Sequence, residues 1–192
     1  YKRQAERYVL AGSHRGMSVV AVNPSTITGR GEKLGNFGRL CRAARRLPLL
    51  VAPPGISGFV DIADVVEGHI LAAERGDHGR RYILNTDNPP LADLFHAINR
   101  AAGHHVRPVV LPRGPLCHLQ RALAFLDAVG APVQAPSRGL YVATASRSYS
   151  SARARDELGW EPVVSLEESV ARAVAYFEEQ DREVDNGSRP GA

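Results

Sequence analysis

The pattern of apolar and polar positions changes repeatedly along the chain between the 3.6-residue period of helices and the short apolar runs of strands. The helical period predicts helices over residues 1–11, 34–44, 65–75, 91–101, 116–126, 151–158 and 166–177. Short apolar segments predict extended chain over residues 18–22, 47–52, 59–62, 81–84, 106–111 and 140–144. Because strands alternate with helices, the sequence predicts an α/β fold. About four of the strands are clear, which is few for a complete doubly wound sheet.

One strand is followed by a loop that is suited to binding a ligand. The segment Gly16–Lys33 begins with buried-strand residues and breaks at Asn23, Pro24 and Ser25 into a polar loop that contains glycine. Open α/β sheets bind ligands in the crevice beyond the carboxyl ends of their strands. Pro24 has a fixed φ and no N–H, so we expect the strand to end before it. The alternative interpretation is an ordinary turn after a buried strand.

Two helices are preceded by residues typical of N-terminal caps. Asp64 is expected to cap the third helix, with Glu67 completing an acidic form of the capping box. Ser165 and Glu168 form the same pattern before the last helix. The third helix, Val65–Arg75, is apolar on nearly every side, so we expect it to be buried.

The composition is that of an ordinary globular chain. The 192 residues are 44% hydrophobic and 23% charged, which fits one domain or a small domain with appendages. Apolar runs stay below the roughly 18 residues that span a bilayer. Cys41 and Cys117 lie far apart in the sequence, so we do not expect a disulfide framework. We expect a reducing, cytoplasmic location instead. Residues 180–192 have few apolar side chains to bury and are expected to form a disordered tail.

The positive charge is spread along the chain and is carried almost entirely by arginine. The net charge is +4, and all 24 cationic residues are arginine except Lys2 and Lys33. A lysine retained in such a chain is a candidate functional residue, because the pKa of an ammonium can be lowered and that of a guanidinium cannot. The densest arginines, Arg39–Arg46, are interpreted as a solvated helix face. They lack the aromatic neighbours and the motif expected of a nucleic-acid site.

Common catalytic and metal-binding motifs are absent from the sequence. There is no GxGxxG after a strand, no phosphate-binding P-loop, no HExxH and no GxSxG. His104 and His105 are adjacent and follow a glycine, so we expect no metal site there. Asp61 and Asp64 could form a pair of catalytic carboxylates, although capping explains Asp64 more simply.

Four stretches, in the same order, resemble the C-terminal half of the extended short-chain dehydrogenase/reductase family. Lys2, Ala5 and Glu6 match the K-x-x-A-E part of the family's helix motif, whose catalytic Tyr lies four residues before the Lys. MSVVAVNPSTITGRGE resembles the strand and loop beneath the nicotinamide. GFVDIADVVEGHILAAERGDHGRRYIL and SSARARDELGWEP resemble two later motifs, with Asp61 and Ala63 departing from the usual residues. The resemblance covers Tyr1–Glu179 and is nearest to hopanoid-associated sugar epimerases and dihydroflavonol-4-reductase-like proteins.

This resemblance implies the fold and the roles of particular residues. The fold would be the C-terminal part of a Rossmann-type doubly wound sheet with a small mixed α/β substrate-binding region. NAD or NADP would be the cofactor, and Lys2 would hold the nicotinamide ribose and lower the pKa of the catalytic Tyr. The residues implied to contact the cofactor are Lys2, Asn23, Pro24, Ser25 and Ile27. The residues implied to contact substrate are Thr26, Arg30, Asn36 and Phe59.

The same resemblance implies a domain organisation and an expectation about activity. Residues 1–48 would end the dinucleotide-binding domain, residues 49–179 would form the substrate-binding region, and helix Tyr1–Ala11 would pair two copies in a homodimer. The substrate would be a nucleotide sugar or a carbonyl or alcohol compound. The family's glycine loop and catalytic Tyr are not among these 192 residues, so we expect no oxidoreductase turnover from them alone. A non-catalytic NAD(P)-sensing regulator and an interaction module that uses Arg39–Arg46 are the alternatives.

Overall fold

The computed structural model describes residues 2–11, 18–31, 36–129, 140–141 and 144–187. The helices are α1 Lys2–Ala11, α2 Asn36–Arg46, α3 Ile62–Arg75, α4 Leu91–Ala101, α5 Arg113–Ala128, α6 Ala152–Leu158 and α7 Leu166–Gly187. The strands are β1 Ala21–Pro24, β2 Thr26–Thr28, β3 Val51–Ala52, β4 Phe59–Asp61, β5 Arg81–Leu84 and β6 Val109–Val110.

The strands form three pairs, and every pair is parallel. β1 pairs with β5, β2 with β4, and β3 with β6. Parallel partners require crossover connections, and helices supply them here as they do in α/β proteins. The predicted α/β class is therefore confirmed.

Strand β1 continues through Pro24, contrary to the expectation that proline would end it. Pro24 lies opposite Leu84 in the β1–β5 pair. Ala21 N donates to Arg80 O and Ser25 N donates to Leu84 O, so alternate N–H groups of β1 point toward β5. The nitrogen of Pro24 points the other way, toward an edge that carries no strand within the described part of the chain. A proline on that edge removes no ladder hydrogen bond.

Helix α3 is capped by Asp61, and the prediction that Asp64 caps it is wrong. Asp61 has extended backbone angles, and its Oδ1 accepts from Ala63 N at 2.8 Å. Its Oδ2 accepts from Ser169 Oγ, which lies 2.7 Å from Thr28 Oγ1. Asp61 is 1% exposed, so this cap also joins β4, β2 and α7 in the interior.

Asp64 lies in the first turn of α3 and binds a distant segment instead. Its two carboxylate oxygens accept from Val163 N at 3.1 Å and Val164 N at 3.2 Å. Its backbone carbonyl accepts from Trp160 Nε1 at 2.9 Å. These bonds fasten residues 160–164 onto the start of α3, and Asp64 is buried in the process.

Two buried clusters form the core. The first joins α2, α4, α7 and Phe59 of β4. The second joins α3, α6, β5 and Val60 of β4 with Trp160, the second residue after α6. In the second cluster, burial raises the pKa of the Tyr82 phenol, whose hydroxyl donates to Glu157 Oε2 at 2.8 Å. Helix α3 is not buried on every side as expected, because Val66 and Ile70 are 53% and 47% exposed.

One expectation is corrected and one is confirmed at the ends of the chain's later helices. Residues 140, 141 and 144 are helical rather than extended, with Thr144 Oγ1 donating to Leu140 O. Glu168 N donates to Ser165 Oγ at 3.2 Å, as the capping prediction requires.

Residues 180–187, expected to be a disordered tail, continue helix α7. Arg45 forms an ion pair with Asp181 and donates to Phe177 O at 3.1 Å, and the guanidinium of Arg42 lies 4.6 Å above the Phe177 ring. Two of the arginines of α2 therefore contact the acidic face of α7, whereas Arg39 and Arg46 are exposed. Residues 188–192 lie outside the described residues.

Gly68 leaves the space into which Leu84 packs, so alanine at this position is expected to destabilise the chain. A Cβ on Gly68 would lie 2.3 Å from Leu84 Cδ1 and 3.1 Å from Trp160 Nε1, in a fully packed cluster. We expect Gly68→Ala to lower the free energy of unfolding by about 2 kcal/mol, despite the better helix propensity of alanine. Gly114→Ala is the matched control, because nothing lies within 4 Å of its Cβ position. Urea unfolding should show Gly114→Ala at or above wild-type stability, and equal effects at both positions would contradict the packing argument.

Candidate functional site

A cavity begins at the carboxyl end of β1 and extends along one face of the β1–β5 pair. Its volume is about 630 Å³. Its lining residues are Asn23, Pro24, Ser25, Thr26, Arg81, Ile83, Tyr149 and Arg153. The first four are consecutive and lie in the loop that the sequence singled out as a ligand site.

Backbone hydrogen bonds hold this loop between two strand pairs. Ser25 N donates to Leu84 O at 2.9 Å, and Thr26 N donates to Gly58 O at 3.2 Å. Asn23 and Ile83 are register partners in the parallel pair, so their side chains share the face that the cavity covers. The polar side chains of the loop are thereby fixed at the end of a strand, where α/β sheets bind their ligands.

Two polar atoms at the cavity have no hydrogen-bond partner among the described residues. Asn23 Oδ1 and Ser25 Oγ are both buried and both unpaired. Leaving such groups unpaired costs about 1–3 kcal/mol each, so native proteins rarely tolerate it. An amide oxygen accepts a hydrogen bond, and a hydroxyl both donates and accepts. The pair fits a ligand that offers one donor and one acceptor a few ångströms apart.

The far side of the cavity is cationic. Arg81 and Arg153 line it, and Arg153 Nη1 donates to the carbonyl oxygen of Arg81 at 3.2 Å. No carboxylate is among the described lining residues, although Glu157 lies 3.9 Å from Arg153. This charge distribution favours an anionic group, such as a phosphate, beside the polar loop.

Sequence reasoning missed Tyr149 and the residues that hold it. Asn85 Nδ2 and Asn88 Nδ2 both donate to Tyr149 O, at 3.1 and 3.0 Å, and Tyr149 N donates to Asn88 Oδ1 at 2.8 Å. A Cβ on Gly58 would lie 2.2 Å from Asn85 Oδ1 and 2.7 Å from the Tyr149 ring, so this close approach requires glycine. Arg81, Ile83 and Arg153 were also missed. No local pattern marks any of these residues, because they reach the cavity from parts of the chain far from residue 23.

The remaining candidate residues lie elsewhere or outside the description. Ile27 is 40% exposed in β2, and Arg30 forms an exposed ion pair with Glu179 at 3.4 Å. Phe59 is 4% exposed in the first core cluster and lines a different cavity. Lys2 and Asn36 begin α1 and α2, and their side chains are outside the described residues. The structure thus brings together Asn23, Pro24, Ser25 and Thr26, but not Ile27, Arg30 or Phe59.

The described residues were also expected to hold no membrane span and no metal site at the paired histidines. They contain no helix of the length and hydropathy that a membrane crossing requires. They also contain no group of three or more potential metal ligands among histidine, cysteine, aspartate and glutamate. His104, one of the paired histidines, has its Nε2 2.9 Å from Ala44 O.

Curated relatives match nearly the whole chain. It is 29% identical over 190 residues to a provisionally named dihydroflavonol 4-reductase of Synechocystis sp., covering 92% of this chain and 53% of the relative. It is 25% identical over 183 residues to sterol demethylase protein B of Methylococcus capsulatus, covering 93% and 56%. It is 27% identical over 205 residues to a 3-beta-hydroxysteroid dehydrogenase of Mycolicibacterium neoaurum, covering 97% and 54%. The chain spans about half the length of these relatives, and no protein-family model matches it.

Solved structures match the same portion of their own folds. The crystal structure of gox2253 superposes with a TM-score of 0.77 at 29% identity, covering 93% of this chain and 55% of that one. A nucleoside-diphosphate-sugar epimerase from Pseudomonas aeruginosa gives a TM-score of 0.71 at 23% identity, covering 93% and 54%. Bordetella bronchiseptica WbmF, solved in complex with NAD+ and UDP, gives 0.68 at 20%, covering 94% and 52%. The chain is therefore similar, over more than nine-tenths of its length, to about half of a dihydroflavonol reductase-like relative, and it shares the α/β fold of the corresponding part of the solved structures.

Proposed function

We propose that this chain forms the nicotinamide side and the substrate side of an NAD(P)-dependent reductase or epimerase. The observation that carries the proposal is the pair of buried, unpaired atoms Asn23 Oδ1 and Ser25 Oγ at the end of β1. The carboxamide of nicotinamide offers one N–H donor group and one carbonyl acceptor, which matches this pair. Relatives of the same fold, such as WbmF, were solved with NAD+ bound.

Each residue has a defined task in this proposal. A bound nicotinamide cofactor would supply the hydride chemistry, while the protein binds and orients it. Asn23 and Ser25 would hold the carboxamide, and Pro24 and Thr26 would form the wall beside the ring. Lys2 would hydrogen-bond the ribose and lower the pKa of a tyrosine contributed from outside these 192 residues.

The substrate class that we favour is an alcohol or carbonyl compound. The sequence relatives at 25–29% identity are named for dihydroflavonol reductase, sterol demethylase and hydroxysteroid dehydrogenase activities. The solved nucleotide-sugar epimerase shares 23% identity and supports the fold alone. A nucleotide sugar is the competing substrate, and the cationic side of the cavity at Arg81 and Arg153 suits its diphosphate.

We also propose that α1 pairs two copies of the protein in a homodimer. Tyr8 and Val9 are 80% and 58% exposed on this helix. Large apolar side chains exposed together mark contact surfaces more often than isolated ones do.

Removing the unpaired polar atoms is expected to weaken nicotinamide binding. Reduced nicotinamide mononucleotide is the probe, since it needs no dinucleotide loop, and saturation-transfer difference NMR measures its Kd. We expect Asn23→Ala and Ser25→Ala each to raise the Kd by about five- to tenfold, the effect of one lost hydrogen bond. The 192 residues by themselves should also fail to oxidise NADH or NADPH with ketone substrates, because the glycine loop and the catalytic tyrosine that the resemblance implies are not among them.

Thr86→Val is the matched control for this experiment. Thr86 Oγ1 is also buried and unpaired among the described residues, but it does not line the cavity. Its replacement should leave the Kd unchanged. Equal weakening by all three variants, or none by any of them, would contradict the proposed binding mode. Turnover by these 192 residues alone would contradict the proposal that catalysis needs a tyrosine contributed from outside them.

A further inference from the structure

A second cavity lies along α4 and the start of α7, apart from the candidate site. Its volume is about 530 Å³, and none of its lining residues lines the cavity at the end of β1. His96, Ala97 and Arg100 follow Asp93 by three, four and seven residues, so these four line the second cavity from one side of α4. The second cavity therefore follows α4 from its first turn to its last.

The most buried lining residues of the second cavity are apolar side chains of the first core cluster. Phe59, Ala97 and Leu166 are 4%, 6% and 8% exposed. Thr86, another lining residue, donates its backbone N–H to Phe59 O at 2.8 Å. Its Oγ1 is buried and has no hydrogen-bond partner among the described residues. Native proteins rarely leave a buried hydroxyl unpaired, so this position favours a ligand with a polar group.

Two arginines without ion-pair partners share one end of the second cavity. Arg100 lies in the last turn of α4. Val106 O accepts from Asn99 Nδ2 at 3.1 Å and from His96 Nδ1 at 3.2 Å, which holds Arg107 beside the same part of the helix. Within the described part of the chain, neither guanidinium forms a hydrogen bond or an ion pair. Guanidinium groups bind carboxylates and phosphates through paired hydrogen bonds, so this end of the second cavity suits an anionic group.

Three carboxylates also line the second cavity, and none of them pairs with these arginines. Asp93 lies in the first turn of α4, about 10 Å from Arg100 along the helix axis. Asp87 precedes α4, and Glu167 lies in the first turn of α7. Asp93 and Glu167 stabilise their helix N-termini whether or not a ligand binds. Carboxylate oxygens only accept hydrogen bonds, so these residues suit the hydroxyl or ammonium donors of a ligand.

The separation of the two kinds of group decides which ligand fits. An α-amino acid carries its ammonium and its carboxylate on the same carbon, so it cannot reach Asp93 and Arg100 together. A longer amino acid would still place its α-ammonium beside the arginines. A sugar with one anionic group has an anion at one end and uncharged hydroxyls along the rest of its length. The volume is within the range of about 300–1,000 Å³ that small-molecule sites occupy.

We propose that the second cavity binds a sugar that carries one anionic group, a phosphate or a carboxylate. Arg100 and Arg107 hold the anion, and Asp93 and Thr86 bind hydroxyls. This site goes beyond the proposed function and shares no lining residue with it, so either can fail without the other.

Isothermal titration calorimetry with D-glucose 6-phosphate and D-glucuronate tests the proposal. We expect at least one of them to bind about tenfold more tightly than both glucose and inorganic phosphate, because only the complete ligand meets both ends of the second cavity. The tighter of the two identifies the anion as phosphate or carboxylate. No binding of either compound, or affinity no greater than that of glucose or inorganic phosphate, would overturn the proposal.

Variants assign the binding to the second cavity. Arg100→Gln with Arg107→Gln should raise the Kd of the tighter compound more than about tenfold, and Asp93→Ala and Thr86→Val should each raise it about fivefold. Arg113→Gln with Arg121→Gln is the matched control for the loss of two cations, because both arginines are exposed and line neither cavity. Its Kd should equal that of the wild type.

The first cavity supplies the decisive comparison, because it also contains two arginines. Arg81→Gln with Arg153→Gln should leave the Kd of the tighter compound unchanged. Loss of binding in this variant, with binding kept in Arg100→Gln with Arg107→Gln, would place the anion in the first cavity and overturn the proposal.

Discussion

Replacement of Trp160 by alanine is expected to lower the free energy of unfolding by about 4 kcal/mol. The indole is fully buried in the second core cluster, between α3 and α6. Truncation of a buried tryptophan removes its transfer free energy and leaves a cavity that neighbouring side chains fill incompletely. It also leaves the carbonyl of Asp64 without the bond from Trp160 Nε1. Equilibrium urea unfolding followed by far-UV circular dichroism measures the change.

Phe125→Ala is the aromatic control for Trp160→Ala. Phe125 is 68% exposed, so its removal should change stability by less than about 0.5 kcal/mol. A Trp160→Ala variant whose midpoint matches that of Phe125→Ala would show that the second cluster contributes little to the stability of the chain.

Asp64→Ala is expected to lower the free energy of unfolding by about 3 kcal/mol. Two backbone N–H groups, of Val163 and Val164, would lose their acceptors, and buried donors left unpaired cost about 1–3 kcal/mol each. Relief of the carboxylate's own desolvation offsets a part of this loss. Asp64→Asn should lose roughly half as much, because the amide keeps one acceptor oxygen and turns a donor toward the second N–H.

Asp93→Ala is the matched control for Asp64→Ala. Asp93 is also an acidic residue in the first turn of a helix, but it is exposed. If Asp64 acted only through helix capping or the helix dipole, both variants would lose a similar free energy of unfolding, about 0.5–1 kcal/mol. That outcome would contradict the role of Asp64 in binding the segment after α6. The double variant of Asp64→Ala and Trp160→Ala should lose less than the sum of the two single losses, since both residues hold the same segment on α3.

Asp64 also shows how a local rule can assign the right type of interaction to the wrong residue. An acidic residue before an apolar helix is a good cap, and both Asp61 and Asp64 precede apolar positions. The helix begins at Ile62, so Asp61 takes the capping position and Asp64 falls within the first turn. The partners of Asp64 lie 99 and 100 residues further along the chain, beyond any local pattern.

The candidate site also contains some residues that the sequence predicted and others that only the structure revealed. Asn23, Pro24, Ser25 and Thr26 are consecutive, and a strand that runs into a polar turn predicts their place from sequence. The opposite wall comes from β5, from Tyr149 and from α6, and its residues were not foreseen. Which side chains face Asn23 depends on the parallel register of β1 with β5.

For helix α5, the sequence predicted an amphipathic helix but not which side of that helix would face solvent. The leucine stripe predicted a helix near the observed Arg113–Ala128. A stripe alone implies burial, yet the most apolar arc of this helix is exposed. The orientation depends on how the helix is joined to β6 and on what it packs against.

The sequence by itself determined where most helices and strands lie, which loop ends β1, and that the last helix begins with a serine cap. These features depend on backbone preferences and side chains within a few residues of one another, so they can be read locally. The tertiary structure alone decided that Asp64 fastens the segment after α6, that Pro24 fits at the edge of β1, and which distant residues complete the cavity. Those outcomes depend on contacts between residues far apart in the chain, and packing and hydrogen-bond satisfaction select them only once the whole fold has formed.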